Sequence, residues 1–249
     1  MIKIKSDEEI QIMAEGGRKL AQIMKELKER VRPGIQTREL NQLAEGLILK
    51  ESGKCSFKNY NGFPACLCVS INEEIVHGVP SERILKNGDI VSLDLGMKYK
   101  GFHTDMAITL PVGEIDPETA RLIRVTKKAL KLAIKKAKPG NTFGDIGNTI
   151  QRYVQSQGFR VIRELCGHGI GKELHEDPQI LNYGKRKSGP KLIEGMVFCL
   201  EPMVTMGDYR IKKERNGFAF KTKDDSLSAH FEHMVAVTKQ GSLVLTILR

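Results

Sequence analysis

Apolar residues recur at helical spacing through Ile10, Met13, Ala14, Gly17, Leu20, Ile23, Met24 and Leu27, directly behind the polar run Ser6-Asp-Glu-Glu9. A Ser followed three residues later by Glu is a capping box, so a first helix is predicted to begin there and to stop at Arg32-Pro33-Gly34. Thr37 is placed to cap a second helix carrying Leu40, Leu43, Ala44, Leu47 and Ile48 and ending near Ser52-Gly53. The period then changes. Cys66 to Ile71, Ile90 to Leu95 and Asp105 to Leu110 are short runs rich in β formers, separated by Gly, Asn and Pro.

The same plan returns further along. LAQIMKELKERVRPG is paralleled by RVTKKALKLAIKKAKPG, with Pro33-Gly34 corresponding to Pro139-Gly140. Behind each Pro-Gly comes a capped helix, from Thr37 in one copy and from the Thr142-Phe-Gly-Asp145 box in the other, ending in Gly53 or Gly158. Strand-like runs follow again at Met196 to Val204 and Phe231 to Val237. The pattern predicts a duplicated helix-helix-strands unit, residues 6–112 and 117–240, packed about a pseudo-twofold axis into one α+β domain spanning 1–249.

Burying an unpaired carboxylate in an apolar strand is costly. Asp94 in IVSLDLG, Glu201 as the only charge of MVFCLEPMV, and Glu232 at the head of an apolar strand all break that rule. One such acid could be an edge residue or a salt-bridge partner, but three together point to a cation. Asp105 adds a fourth. Gly96 to Gly101 reads as a hairpin turn centred near Tyr99-Lys100, which sets Asp94 opposite Asp105, and directly opposed like charges destabilise a sheet unless a positive ion lies between them. His168, flanked by Gly167 and Gly169 that allow a close backbone approach, can supply a nitrogen ligand. His175 lies seven residues on, and His77 occupies VHGVP before a turn.

Asp94, Asp105, His168, Glu201 and Glu232 carry four negative charges, enough for two divalent ions with shared carboxylates. Two such ions about 3.5–4 Å apart can hold a bridging hydroxide and polarise a carbonyl, which is a hydrolytic arrangement. Two ligands come from the first repeat and three from the second, so the site is expected on the seam between the halves.

Composition narrows the classes. With 249 residues, 40 Lys+Arg, 30 Asp+Glu and 40% hydrophobic residues, the chain has globular composition, which excludes disorder, collagen and disulfide scaffolds. The longest uncharged stretch, Asn59 to Asn72, contains Gly62 and Pro64 and falls short of the roughly 20 apolar residues that a membrane span needs. MIKIKSDEEI lacks the apolar centre of a secretory signal, so a cytoplasmic location is expected. Five cysteines, at 55, 66, 68, 166 and 199, are then expected as reduced thiols. The net charge of +10 gathers in two places. Arg121 to Gly140 holds eight Lys or Arg and no acid, and reads as a solvated helix face. Arg210, Lys212, Lys213, Arg215, Lys221 and Lys223 form a second cluster between Glu201 and Glu232.

NEEIVHGVP, DLGMKYKGFHTDMA, CGHGIGKELHEDP, FCLEPM and KTKDDSLSAHFEH together resemble the type I methionine aminopeptidases of the bacterial kind, in the right order and over essentially the whole chain. The resemblance implies a pita-bread fold, two divalent ions (Fe, Mn, Co, Ni or Zn), and removal of N-terminal Met from nascent proteins and peptides with a small second residue. By resemblance, Asp94 binds one ion, Asp105 and Glu232 bridge both, and His168 and Glu201 bind the other, with Glu201 also the general base and acid. His175 would hydrogen-bond the substrate carbonyl or oxyanion, and His77 would contact the nitrogen side of the scissile bond.

The methionine pocket implied is Phe57, Tyr60, Phe63, Cys68, Leu174 and Phe218, beside His77. Leu174, Phe218 and Phe57 depart from relatives, which often carry Phe, Trp and Cys there. The second basic cluster would touch the ribosome, and the chain is expected to be a monomer. Two rivals share the resemblance. A prolidase or X-Pro aminopeptidase usually carries an additional N-terminal domain, and a non-enzymatic RNA-binding relative typically loses ligands that all stand here.

Overall fold

The computed structural model describes residues 1–248. The first half opens with helices α1 (Asp7–Arg30) and α2 (Thr37–Lys50), followed by strands β1 (Lys54–Cys55), β2 (Leu67–Ile71), β3 (Glu74–Val76), β4 (Ile90–Tyr99) and β5 (Phe102–Pro111). The second half repeats the order with α3 (Pro117–Lys136) and α4 (Phe143–Ser156), then β6 (Arg160–Val161), β7 (Cys166–Gly169), β8 (Glu176–Leu181) and β9 (Val197–Leu200). It continues through β10 (Met203–Thr205), β11 (Ile211–Lys213), β12 (Phe220–Thr222), β13 (Ser228–His230), β14 (Glu232–Thr238) and β15 (Gly241–Val244). One curled nine-stranded sheet runs in the order β1-β4-β5-β14-β9-β7-β8, with β2 on β4 and β15 on β14. The halves therefore join where β5 pairs with β14.

Local chemistry starts each helix. Ser6 Oγ accepts from the Glu9 amide at 3.2 Å while the Ser6 amide donates to the Glu9 carboxylate at 3.1 Å, closing the expected capping box. At α2 the cap is Gln36 rather than Thr37, because the Thr37 hydroxyl is engaged elsewhere, accepting from the Ser81 amide at 2.8 Å and donating to its carbonyl at 3.1 Å. Thr142 and Asp145 form the reciprocal box that opens α4.

Each helix pair covers its own half of the sheet. Leu20, Leu27, Leu40 and Ile48 pack with Leu67 and Leu93, whereas Leu122, Ala129, Ile146 and Ile150 pack with Phe198 and Val235. Burying each large side chain is worth about 1.5–3 kcal/mol relative to exposure, so the two clusters fix the sheet that carries the acids.

Three further expectations are corrected. The hairpin turn is Lys100-Gly101, both at positive φ, rather than Tyr99-Lys100, and this two-residue turn sets Asp94 against Ala107 and Gly96 against Asp105. The two aspartates are diagonal neighbours on one face, not direct partners. The run Met196 to Val204 is broken into β9 and β10 at Glu201-Pro202, since Pro has no amide for the ladder. Finally, Cys55 and Cys66 are joined as a disulfide, with Cα atoms 5.2 Å apart, leaving Cys68, Cys166 and Cys199 free.

Candidate metal centre

The five candidate ligands lie on five consecutive strands of the sheet: Asp94 on β4, Asp105 on β5, Glu232 on β14, Glu201 immediately after β9, and His168 on β7. Carboxylate oxygens of Asp94, Asp105 and Glu232 come within 4.8 Å of one another, and His168 Nε2 stands 3.6 Å from Glu201 Oε1. All four acids are buried, and Asp94 Oδ1, Asp105 Oδ1 and Glu232 Oε1 find no hydrogen-bond partner. Burial, followed by mutual repulsion, holds the carboxyls of Asp105, Glu201 and Glu232 well above the usual range, and burial likewise raises Asp94. Among the described residues, no Lys or Arg lines the cavity that contains them. Oxygen-rich, uncompensated and partnered by one imidazole, this donor set fits divalent cations.

His168 is aimed by its backbone. Its Nδ1–H donates to the Gly169 carbonyl at 2.9 Å, so Nε2 presents its lone pair to the centre, and burial pulls its pKa down to about 3. The flanking glycines are required by contact. A Cβ on Gly167 would stand 2.4 Å from the Cys199 carbonyl oxygen, and one on Gly169 would stand 2.1 Å from that of Asp177. Behind the strand break, Asn182 donates to the Glu201 carbonyl at 3.0 Å and fixes that residue's position.

His175 and His77 line the same cavity, of about 530 Å³, along with Phe57, Tyr60, Phe63, Cys68, Leu174 and Phe218. The His175 ring stacks edgewise on His168 at 4.3 Å, and its Nδ1 shares a 2.8 Å hydrogen bond with the Tyr60 hydroxyl. His77 has φ of 59°, a left-handed conformation rare for a non-glycine residue, and burial lowers its pKa to about 4. Phe63 and Phe218 meet edge to face at 5.5 Å, closing an apolar wall opposite the acids.

Two residues escape the sequence reading. His230 is buried, both its ring nitrogens lack a hydrogen-bond partner among the described residues, and its Nε2 lies 3.9 Å from carboxylate oxygens of both Glu201 and Glu232. Its signal was present in the alternation His230, Glu232 within AHFEH, since residues two apart share a face in an extended run. Cys199, two residues before Glu201, places its sulfur within 4.8 Å of His168 and Glu232 donor atoms, and burial raises its thiol pKa so that it stays protonated.

Residues 11–239 match the model of metallopeptidase family M24. Methionine aminopeptidases from Clostridium perfringens and Bacillus subtilis are each 46% identical to this chain, over 100% and 99% of both sequences respectively. The chain belongs to the type I methionine aminopeptidases of family M24. The crystal structure of the methionine aminopeptidase from Thermotoga maritima covers 100% of both chains at a TM-score of 0.98 and 43% identity. A prolidase from Pyrococcus horikoshii matches 99% of this chain but only 64% of its own, at a TM-score of 0.78 and 25% identity. The shared architecture is the pita-bread fold, and family membership carries divalent-metal use with it.

Proposed function

We propose that this chain removes the N-terminal methionine of newly made proteins and peptides, favouring a small second residue and using two divalent ions. The observation that carries the reading is that one cavity joins four buried, uncompensated carboxylates to a wall of Phe63, Phe218, Leu174 and Cys68. A soft apolar wall suits a thioether side chain. The acids opposite suit ions that would supply an activated water and polarise the scissile carbonyl.

Asp94, Asp105, His168, Glu201 and Glu232 would hold those ions, with Asp105 and Glu232 shared between them. Glu201 would take up a proton and return it to the leaving amine, a role suited to a carboxyl whose proton affinity is raised by burial. The 2.8 Å hydrogen bond to Tyr60 would, with the hydroxyl donating to Nδ1, leave the His175 proton on Nε2, the tautomer that can donate to a substrate carbonyl. His77, held in its left-handed conformation at the cavity wall, would contact the nitrogen side of the bond. The apolar wall excludes water from the methionine side chain.

The enzyme would work as a cytoplasmic monomer. Ribosome contact through the second basic cluster would be weak and salt-sensitive, resting on Lys213, Arg215 and Lys223, because its other cations are paired within the protein.

The deciding assay compares hydrolysis of Met-Ala-Ser, Leu-Ala-Ser and Ala-Pro-Ala with Mn or Co and with a chelator control, for wild type and Glu201→Gln. Metal-dependent release of Met, lost in the variant, supports the reading. Preference for Ala-Pro-Ala would move the chain to the proline-directed branch, and no cleavage of any peptide would refute it.

A further inference from the structure

The two concentrations of positive charge differ in how they are held. In the segment Arg210 to Lys223, Arg210 pairs with Asp208, Lys212 with Asp225 at 2.6 Å, and Lys221 with both Glu214 at 2.7 Å and Glu73 at 3.2 Å. On α3 only Arg121, at the first turns, has such a partner, in Glu118. The seven Lys and Arg from Arg124 to Lys138 are all exposed, and among the described residues none has a carboxylate within 4.0 Å.

Geometry organises these charges. α3 buries Leu122, Val125, Ala129, Leu130 and Ala133, so its apolar face is already committed to the core. Helical spacing puts Arg124, Lys128, Lys131 and Lys135 in one outward row, about 16 Å long at 1.5 Å per residue. At the end of the row, Asn141 donates to the Lys136 carbonyl at 2.8 Å, and the Leu192 amide donates to the Asn141 carbonyl at 2.8 Å. Those bonds bring Lys191 alongside, and the Lys187 amide, donating to Asp145 at 3.1 Å, ties the exposed basic run Lys185 to Lys187 to the start of α4. A shallow hollow at the junction is lined by Pro139, Gly140, Lys191 and Lys239, with Glu194 its one acid. None of these residues lines the metal cavity.

We propose that this face of α3 docks the phosphate backbone of double-stranded RNA. Unpaired cations at close spacing repel one another, and a partner with regularly spaced phosphates relieves that repulsion while releasing its own counterions. α3 carries no aromatic residue on which a free base could stack, which favours a duplex over a single strand. Duplex RNA is bound mainly through shape and phosphates, which lysine rows can match without reading sequence. A membrane partner would need a free apolar face to insert, and α3 has none to spare. The choice of RNA rests on the proposed activity toward newly made chains, which are assembled on RNA.

The test is fluorescence anisotropy of a labelled RNA duplex of about 20 base pairs, between about 50 and 200 mM salt. It is run on the full chain, on Lys128→Glu/Lys131→Glu/Lys135→Glu, and on the control Lys25→Glu/Lys28→Glu/Arg30→Glu, which makes the same charge change at three exposed cations of α1. The α3 variant should bind at least about tenfold more weakly at low salt, with a salt slope shallower by about three, one for each contact removed. The control should stay within about threefold of the parent, and Met-Ala-Ser cleavage should be the same in all three.

Parent-like RNA binding by the α3 variant overturns the proposal, as does an equal loss in the control. So does tighter binding to a DNA duplex of the same sequence, or binding to phosphatidylglycerol vesicles in place of RNA. Should the Glu variant lose peptide cleavage, the Gln triple at the same positions is judged by the same criterion. Peptide cleavage is read separately, so failure of RNA binding and failure of the proposed activity are distinguishable.

Discussion

Glu176 and Glu232 line the same cavity, and each side chain is 3% exposed, yet they are opposites electrostatically. Burial would raise both. Glu176 is rescued by Lys5, whose ammonium lies 2.8 Å away and is itself 5% exposed, and by Lys3 at 3.3 Å, so its carboxyl falls below the usual range. At Glu232 burial, and then repulsion from Glu201 and Asp94, raises the carboxyl. A buried acid with a lysine completes a structure, whereas a buried acid facing other acids is incomplete until a cation arrives. Depth alone does not distinguish the two kinds.

The comparison can be broken or sharpened in four ways. Glu201→Gln should lower kcat for Met-Ala-Ser by about 10²–10⁴, as loss of a positioned acid-base group does, while the chelated protein keeps its circular dichroism spectrum. Glu176→Gln should do the reverse. By leaving Lys5 buried without its counter-charge it should cost about 3 kcal/mol of stability, seen in urea unfolding, with metal binding retained.

Asp105→Asn should stabilise the chelated protein at pH 8 by about 3 kcal/mol, the scale of one like-charge repulsion across about 5 Å at an effective dielectric near 20. The folded carboxyl keeps its proton above its ordinary value, so folding takes up a proton there and stability falls as pH rises from about 4. The gain from Asn should therefore shrink toward pH 4, and a gain that grew on acidification would refute the assignment. Smallest is Phe218→Ala, which removes the edge contact with Phe63. It should raise KM for Met-Ala-Ser by about tenfold with kcat nearly unchanged, in steady-state kinetics.

The acids of the cleft were legible in the sequence for a physical reason: a charge inside an apolar strand is an expensive exception, and Asp94, Glu201 and Glu232 each stand out as one. The helices were legible through their capping boxes and stripes. Less visible was anything set by tertiary contact. Thr37 looked like a cap, but Ser81 claims its hydroxyl. The register of the β4–β5 hairpin hung on a Lys adopting positive φ beside Gly101, which composition does not favour. The surroundings of His230 come from Thr109 on β5, Met203 on β10 and the carboxylate of Glu201, which meet it only in the fold, and the Lys5–Glu176 pair spans 171 positions of sequence.

Phe57, Tyr60 and Phe63 all ride on the short segment between Cys55 and Cys66, which the disulfide closes at its base, and none of the five candidate ligands belongs to it. Those candidate ligands are spread over five strands from both halves. The proposed side-chain pocket, by contrast, takes three of its six residues, Phe57, Tyr60 and Phe63, from this one segment. Rewriting that segment alone would reshape half of the proposed pocket while leaving every candidate ligand in place.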